Sequence, residues 1–466
     1  MNCFLKIKVM SKDKRKKEAR KTKKTTQAIQ GIPVLYAKAA GADIGDTQHD
    51  IAIPDGQGGL IVRVFKTFTA DVEEAVNWLK QEGITTIAME STGVYYLTFY
   101  LLLEEAGIEP YLVNARHVKN VTGRKKDDSD AMWIQRLHSC GLLQKSFQPD
   151  NDFRTLRTYV RQRKGLITRC SDEVRRMQKA LEQMNIKIHT VISDLLGKTG
   201  LQIVQAIIEG NFDAEELSKL RDPRIKATPQ EVFKSLQGLW KEEYVFTLKQ
   251  AYSTYCFYQQ QVKECEDKIH EQLLKQIAQV SQGDITVDKP IIEKKNKPRK
   301  NQFSFPVAPL LCRLTTVDLC KIPGLSEVSI LEFISETGTD MDKWHGSKNF
   351  SAWLNVVPNT KITGGKIISS RMLKKKNTAG QTLRMGASSL YSNKTGMGDY
   401  HRRMSAKYGG KGAALASAHK MSRIIYKMLH DKVEFDFQML ANADQKYREK
   451  KIKHLEKLLE QLKKAA

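Results

Sequence analysis

The sequence lacks the features that define membrane, secreted and zinc-binding proteins. It has no apolar run of about 18 residues, so no membrane-spanning helix is expected. Its seven cysteines form no Cys-x-x-Cys pair and have no regular spacing, which argues against a zinc site or a disulfide framework. The basic run at residues 12–24 has no apolar region of the signal-peptide kind beside it. These absences favour a protein of the reducing cytosol.

Acidic residues are also scarce, and one long segment has none. The chain of 466 residues has 77 Lys and Arg against 52 Asp and Glu, a net charge of +25. Between Lys343 and Gly398 no Asp or Glu occurs. An excess of one sign on this scale favours a polyanionic partner, above all a nucleic acid. The candidate nucleic-acid contacts in this segment are Lys361, Lys366, Arg371, Lys374, Lys375, Lys376 and Arg384.

The first third of the chain alternates short apolar strands with helical patterns. Three predicted strands come first, followed by helix, strand, helix, strand and helix, which is the order of an RNase H-like fold. The sequence therefore predicts an α/β RNase H-like domain over residues 34–150, after a basic arm at 1–33. The predicted strands are 39–44, 50–54, 60–67, 84–89 and 110–113, and the predicted helices are 70–82, 94–106 and 127–139.

Four acidic residues lie where this domain could gather them. Asp43 is in the first strand, Glu90 directly follows the fourth, and Asp127 and Asp130 are three apart at the start of the last helical pattern, so we expect both to share one helix face. Carboxylates that converge in this way are stabilised by divalent cations, and paired metals catalyse phosphoryl transfer. Taken singly, such acids are usually solvated turns or helix caps. The spacing does not exclude their neighbours Asp46, Asp50 and Asp128.

The middle of the chain, residues 151–281, is predicted to be helical. Apolar residues at a 3-4 spacing run through 156–184, broken only at Arg163, and a second run covers 258–277 after a small helical insert at 198–246. Two such helices either pair as an antiparallel hairpin or join chains as a coiled coil. The outer faces are expected to be basic, with Arg161, Arg163, Lys164, Arg169, Arg175 and Arg176.

A basic linker at 282–306 separates this region from a mostly α-helical domain at 307–440 and a charged terminal helix at 441–466. Residues 319–330, LCKIPGLSEVSI, resemble a helix-hairpin-helix element in which Ser326 replaces the second glycine, although an ordinary helix–turn–helix connection fits equally well. Residues 412–429 form a predicted Ala-rich helix. Between these two segments, the hydroxyl of Thr363 precedes Gly364 and Gly365, so it is either a nucleophile near a phosphate site or a structural residue before a turn.

Four segments resemble the transposases of the insertion-sequence-110 family, the bridge-RNA-guided recombinases. The segments are AMESTGVYY, NARHVKNVTGRKKDDSDA, KIPGL and WLNVVPNTKITGGK, in the order of the family. The resemblance implies a resolvase-like RNase H domain whose Asp-Glu-Asp-Asp set maps onto Asp43, Glu90, Asp127 and Asp130 and binds Mg²⁺. It also implies a coiled coil for oligomerisation and a C-terminal domain with a serine nucleophile. The implied partners are donor and target DNA, a structured noncoding guide RNA and further copies of the chain in a dimer or tetramer, in the bacterial cytosol at the nucleoid.

One departure from the family concerns the nucleophile. The family serine precedes glycine in a Pro-x-x-x-x-Ser-Gly pattern, where this chain has Thr363 in PNTKITGG. Threonine keeps the hydroxyl, but its methyl group crowds the attack and restricts the side chain. Thr363 is the first candidate, and the alternatives are Ser369, Ser370 or an impaired copy.

The leading prediction is a DNA transposase or recombinase that excises and inserts a mobile element. Its carboxylates would hold Mg²⁺, and the Thr363 hydroxyl would attack the scissile phosphate. One alternative is a metal-dependent structure-specific nuclease or junction resolvase that uses water, for which Thr363 is irrelevant. Another is a non-catalytic nucleic-acid-binding protein in which the acids are structural.

Overall fold

The computed structural model describes residues 32–91, 93–114, 118, 129–280, 301–438, 449, 452–456, 461 and 463. The chain divides into two compact units, the first ending at Gln148 and the second beginning at Pro149. Asp127, the predicted basic arm up to residue 31, most of the predicted linker and much of the predicted terminal helix lie outside the described residues. Within the described ranges, no helix is long and apolar enough to cross a membrane.

The first unit contains a mixed sheet with helices. Its described strands lie in the order β3-β2-β1-β4-β5, with β2 antiparallel to both neighbours and β1, β4 and β5 parallel. All five predicted strands are confirmed, with ends within two residues of those expected. The elements are β1 (Ala39–Ile44), β2 (Gln48–Pro54), β3 (Leu60–Lys66), α1 (Thr69–Gln81), β4 (Thr86–Glu90), α2 (Tyr96–Glu105), β5 (Glu109–Val113) and α3 (Asp130–Ser139).

Alternation along β1 explains why helices cover both faces of the sheet. Ala40, Ala42 and Ile44 share one buried cluster with residues of α1 and α2. The residue between them, Gly41, faces α3, where an added Cβ would lie 2.2 Å from the backbone nitrogen of Gln135. A side chain at position 41 would therefore push α3 away from the sheet.

Helix α3 begins later than the sequence predicts. Its N-cap is Ser129, which has extended backbone (ψ 160°) and accepts a hydrogen bond from the Met132 backbone N–H at 3.3 Å. The helix therefore starts at Asp130. Asp127 lies outside the described residues, so its expected place beside Asp130 on one helix face stays a prediction.

The second unit is built on two long helices, α4 (Asn151–Gln183) and α8 (Glu242–Val280). Asp152 contacts Gln272, and Cys170 accepts a hydrogen bond from Gln259, so residue numbers rise along α4 as they fall along α8. The two helices are therefore antiparallel within one chain. The predicted helical insert lies between them and comprises α5 (Lys198–Ile208), α6 (Ala214–Lys219) and α7 (Pro229–Leu236), but it ends earlier than expected because α8 starts at Glu242.

The break in the apolar spacing at Arg163 is a buried ion pair. The Arg163 and Glu266 side chains are 6% and 5% exposed, and their closest N–O distance is 2.6 Å. The guanidinium also donates to the Asn301 and Gln302 carbonyls and lies 3.7 Å from the centroid of the Phe303 ring. The expectation that Arg163 belongs to an exposed basic face is wrong, because buried partners on α8 and the following segment compensate its charge.

The remainder of the second unit packs on α4 through its first helices. After α9 (Val307–Thr315), α10 (Glu327–Thr337) begins with a capping box in which Ser326 and Ser329 bond to each other's backbone N–H. Arg161 donates two hydrogen bonds to Glu336, at 2.7 and 2.8 Å, and Lys164 pairs with Glu332 at 2.7 Å. Ser326, read in the sequence as a missing glycine, is thus the cap of α10.

The chain then forms a short helix, a β-hairpin and two further helices. The elements are α11 (Ser347–Trp353), β6 (Asn359–Thr363), β7 (Lys366–Arg371), α12 (Thr378–Ser388) and α13 (Gly396–Asp431). The predicted Ala-rich helix is confirmed as the second half of α13, which is kinked at Gly409 (φ 72°). Gly324 and Gly386 let the turn before α10 approach α12, since an added Cβ on either would lie within 2.7 Å of the other's carbonyl oxygen.

Candidate active site

Three acidic residues form a row across neighbouring strands of the first unit. Ala42 of β1 is paired with Met89 of β4 in parallel register, so Asp43 and Glu90 follow side by side. On the other side of β1, Asp43 is paired with Asp50 of β2. Paired residues of adjacent strands project to the same face of a sheet. The register therefore aligns Asp50, Asp43 and Glu90 on one face, and each is partly exposed.

Helix α3 covers that same face and brings in Asp130. Gly41 and Ala88, two residues before Asp43 and Glu90, contact α3 or share its buried cluster. The helix runs back along the sheet, because its last residue, Ser139, accepts hydrogen bonds from the Leu35 and Tyr36 backbone N–H groups that precede β1. Its first residue, Asp130, consequently lies at the edge where β1 and β4 end. Asp43, Glu90 and Asp130 thus share one end of one face.

The acidic row does not by itself form a metal site in the described part of the chain. Aligned carboxylates are stabilised where a cation or a basic group compensates their charge. In the described part of the chain, no group of three or more His, Cys, Asp or Glu side chains is close enough to hold a metal ion. Asp127, the fourth residue of the predicted set, lies outside the described residues. The sequence identified Asp50 only as an acidic neighbour of the predicted set. Its pairing with Asp43 becomes visible in the strand register.

His49 is not part of this edge. It is 2% exposed, it alternates with Asp50 and so projects to the opposite face, and its ring centroid is 5.7 Å from that of Phe99. Burial lowers the pKa of the imidazole. Its Nδ1 has no hydrogen-bond partner among the described residues. His49 is a packing residue of the sheet rather than a proton carrier beside the acids.

Thr363 lies at the tip of the hairpin in the second unit. It ends β6 and is paired with Lys366, the first residue of β7. Gly364 and Gly365 form the two-residue turn, with φ of 54° and 75°, the left-handed conformation that such a tight hairpin requires. An added Cβ on either glycine would meet no atom within 4 Å, so the tip is open.

The hairpin has one basic and one apolar face. The strand pairing shifts by one residue after Lys361, which leaves Ile368 as a bulge between two paired residues of β7. On each side of this bulge, successive pairs still alternate between the two faces of the hairpin. The basic face contains Lys361, Thr363, Lys366, Ser369 and Arg371. The apolar face contains Ile362, Ile367 and Ile368, which are 62%, 66% and 68% exposed. Ser370 lies on that apolar face, where its Oγ is 3.1 Å from the Thr360 Oγ1.

The other predicted nucleic-acid contacts divide into two groups. Lys374, Lys375 and Lys376 follow the hairpin and are exposed. Arg384 is partly buried and donates a hydrogen bond from Nη1 to the Asn355 carbonyl at 3.0 Å. The Arg384 guanidinium therefore holds the segment that leads into the hairpin by this hydrogen bond.

Two family models match the chain on the parts that carry these features. Residues 40–186, which include all four acids of the predicted set, match the DEDD transposase model of the IS110 group. Residues 318–402, which include Thr363 and the basic segment, match the transposase model of the IS116/IS110/IS902 family. No curated protein matches the chain.

The two transposase matches, one over the acidic sheet edge and one over the hairpin, indicate a DNA transposase or recombinase. The chain belongs to the IS110 family of transposases, as the resemblance in the sequence predicts. The family of DEDD transposase domains is typically metal-dependent.

Proposed function

We propose that this transposase excises and inserts its element through Mg²⁺-binding carboxylates and a covalent link to Thr363. The observation that carries the proposal is the shared edge of Asp43, Glu90 and Asp130 on a sheet of order β3-β2-β1-β4-β5. That strand order and the position of the acids are those of an RNase H-like fold. Asp127 would complete the set, with Asp50 as an additional oxygen ligand or an acceptor beside it.

The side-chain types at this edge are those of a magnesium site, because carboxylate oxygens are the protein ligands that Mg²⁺ prefers. The described acids alone are not close enough to hold the ion, so the proposal requires Asp127 to complete the set. When bound, such ions stabilise the charge on the attacking and leaving oxygens of phosphoryl transfer. Gly41 contributes indirectly, because it allows α3 to hold Asp130 close to the sheet.

The proposed step at the hairpin is an exchange of phosphate esters. The Thr363 Oγ1 bonds to the scissile phosphorus as its proton passes to solvent, while the bond from phosphorus to the sugar oxygen breaks and that oxygen takes up a proton. Attack by the hydroxyl of another DNA end reverses the step and releases Thr363. The open tip and the neighbouring Lys361 and Lys366 support this role, since they would bind the phosphates around the nucleophile.

The guide and the assembly are part of the same proposal. The family resemblance supports a structured noncoding RNA that pairs with donor and target DNA, so that base pairing selects the sequence. The antiparallel pair α4 and α8 would contribute a coiled-coil surface to a homo-oligomer. With these partners, the transposase would act at the nucleoid in the bacterial cytosol.

The experiment that tests the chemistry is a denaturing gel for protein attached to DNA. The full chain with its RNA is incubated with DNA containing the element ends and Mg²⁺. We expect an adduct with the wild type, no adduct with Thr363→Ala, and a retained or stronger adduct with Thr363→Ser, which removes only the crowding methyl. Ser369→Ala and Ser370→Ala serve as matched controls and should retain the adduct.

The alternatives give other results on the same gel. A nuclease that uses water would cleave DNA without any adduct, and Thr363→Ala would not change its rate. A non-catalytic binding protein would show neither cleavage nor adduct, and Asp43→Asn would leave transposition in cells unchanged. Under the proposal, Asp43→Asn and Glu90→Gln abolish both cleavage and adduct.

A further inference from the structure

A cleft of about 400 Å³ lies in the seam between α4 and α8, and none of its lining residues belongs to the acidic edge or the hairpin. Its volume is within the range of ligand-binding pockets, about 300–1,000 Å³. One wall is formed by Glu173, Arg176 and Lys179 of α4, and the other by residues of the first turns of α8, including Phe246 and Gln250. The cleft therefore combines an aromatic ring, amide groups, one acid and two cations.

Phe246 provides a stacking surface. It is 60% exposed, so most of its ring is available to a ligand in the cleft. Aromatic side chains in grooves of this size stack on the bases of single-stranded nucleic acids, because every base has a flat face. A paired base cannot reach such a ring, so the surface selects unpaired nucleotides.

Glu173 provides a hydrogen-bonding edge opposite the ring. Its side chain is 7% exposed, and Arg176 Nη1 lies 3.2 and 3.4 Å from its two carboxylate oxygens. Because the Arg176 nitrogen is nearly equidistant from the two oxygens, it occupies the side of the carboxylate that would face a base. Arg176 is exposed and can move to a flanking phosphate, which frees the two oxygens to accept two hydrogen bonds from a ligand. Among the described residues that line the cleft, Glu173 is the single carboxylate.

This acceptor pair selects between bases. The Watson–Crick edge of guanine has two adjacent donors, N1–H and N2–H, which match two carboxylate oxygens. Adenine and cytosine have a donor beside an acceptor, and uracil and thymine have one donor between two acceptors. These four bases would bring a lone pair against the carboxylate. Arg176, whose side chain is 69% exposed, and Lys179 lie where they would neutralise the flanking phosphates.

We propose that this cleft binds an unpaired guanine of a single-stranded nucleic acid, stacked on Phe246 and read by Glu173. The inference rests on the proposed nucleic-acid function and adds to it a site with a base preference. Guanine occurs in both RNA and DNA, so the test compares probes of the two kinds.

The test measures the affinity of the full chain for fluorescein-labelled single strands by anisotropy. The probes are oligouridine and oligothymidine of about 12 nucleotides, each with one central guanine, inosine or adenine. We expect the guanine probe to bind about tenfold more tightly than the adenine probe, since it gains two hydrogen bonds and loses none. Inosine lacks the 2-amino group and should fall between them. The sugar that gives the larger preference identifies the source.

Two variants and a matched control locate the effect. Phe246→Ala should weaken binding of the guanine probe about tenfold, because the ring loses its stacking. Phe257→Ala removes a ring of the same helix with 59% exposure that lies outside the cleft, and it should leave the affinity unchanged. Glu173→Gln should remove the preference for guanine over adenine, with a thermal melt to check folding. Phe246 is exposed, so its variant tests the cleft even where Glu173→Gln is unstable.

The outcomes separate this inference from the proposed function. Equal binding of the guanine, inosine and adenine probes, unaffected by Phe246→Ala, would overturn the guanine site while leaving charge-driven nucleic-acid binding intact. Failure of every probe to bind would overturn both. A preference for guanine that persists in Phe246→Ala and Glu173→Gln would place the selective site elsewhere and also refute the inference.

Discussion

The imidazole of His138 lies between the rings of Tyr36 and Tyr111, with centroid distances of 5.5 and 4.8 Å. Its Nε2 is 2.9 Å from the Thr86 Oγ1, and the residue is 2% exposed. Burial lowers the pKa of His138 from 6.5 to about 4, against a smaller opposing effect of Glu109. The unfolded chain therefore takes up a proton at pH values where the folded chain does not.

We predict that stability falls as the pH drops from 6.5 towards 4. In this interval the unfolded state binds more protons, so the unfolding free energy decreases by up to about 1.4 kcal/mol per pH unit. Above pH 6.5 both states are neutral at His138, and its contribution is constant. Urea unfolding at pH 7 and pH 5, followed by tryptophan fluorescence, measures the difference.

The control for this prediction is a histidine in solvent. His138→Gln removes the titration and should reduce the loss between pH 7 and pH 5, whatever it does to the stability at pH 7. His345 is exposed, and His345→Gln should keep the wild-type loss. An unchanged pH dependence in His138→Gln would contradict the assignment.

At the level of single residues, the sequence indicated which element each residue belongs to better than it indicated which residues lie beside it in the folded chain. Asp43 and Glu90 were singled out because Asp43 lies within the first short apolar run and Glu90 directly follows the fourth, and both runs form strands. Gly41 carried no such signal, since its role depends on how closely α3 approaches it. Asp50 was ambiguous for the same reason: strand pairing is a long-range property that alternation within one strand does not specify.

At the level of elements, the connection between the helical pair and the rest of the second unit depends on Arg163. Glu266 accepts from its guanidinium and, through the other oxygen, from the Ser304 backbone N–H at 2.9 Å. The ion pair therefore holds the chain at residues 301–304 against both α4 and α8. A buried pair of this kind is retained as a unit, since either member alone is an uncompensated charge.

We predict that the two members of this pair are coupled, so that replacing both costs less than the two single replacements added together. Arg163→Met and Glu266→Gln should each lower the unfolding free energy of the second unit by about 3–5 kcal/mol. Arg163→Met combined with Glu266→Met should cost less than the sum of the two single changes to methionine. Denaturant unfolding of the set forms a double-mutant cycle.

An exposed pair on the same helix is the control. Arg175 and Asp172 form an ion pair with side chains 69% and 47% exposed. Arg175→Met should cost less than about 1 kcal/mol, because solvent screens the charges. Equal costs at Arg163 and Arg175 would mean that the buried pair contributes no more than a surface one.

The elements themselves were largely predictable, and the misreadings share one cause. Short apolar strands and 3-4 spacings reflect local burial, so β1 to β5 and the long helices were found. Arg163 was read as a surface residue because a charge in an apolar pattern gives no sign of a buried partner about a hundred residues away. The hairpin β6–β7 was seen only as a glycine turn, since its residues are exposed on both faces and show no apolar alternation.

At the level of the whole molecule, the charge distribution should govern how tightly nucleic acid binds, and the acids and Thr363 should govern what happens to it. The net charge is +25, and one block from Lys343 to Gly398 has no acid. Counterion release makes such binding fall steeply with salt, by about 0.9 in the logarithmic slope for each duplex phosphate contacted. Affinity and chemistry can therefore be changed separately.

We predict that replacing Lys374, Lys375 and Lys376 by glutamine weakens binding of all DNA sequences alike. The slope of log affinity against log salt should decrease by up to about three, one for each phosphate that is no longer neutralised by a lysine. Covalent adduct formed at saturating DNA should persist, because these lysines do not touch the reacting atoms. A matched triple change of the exposed Lys219, Lys226 and Lys234 in the insert should leave the slope unchanged. If both triple variants reduce the slope equally, net charge rather than the block after the hairpin controls binding.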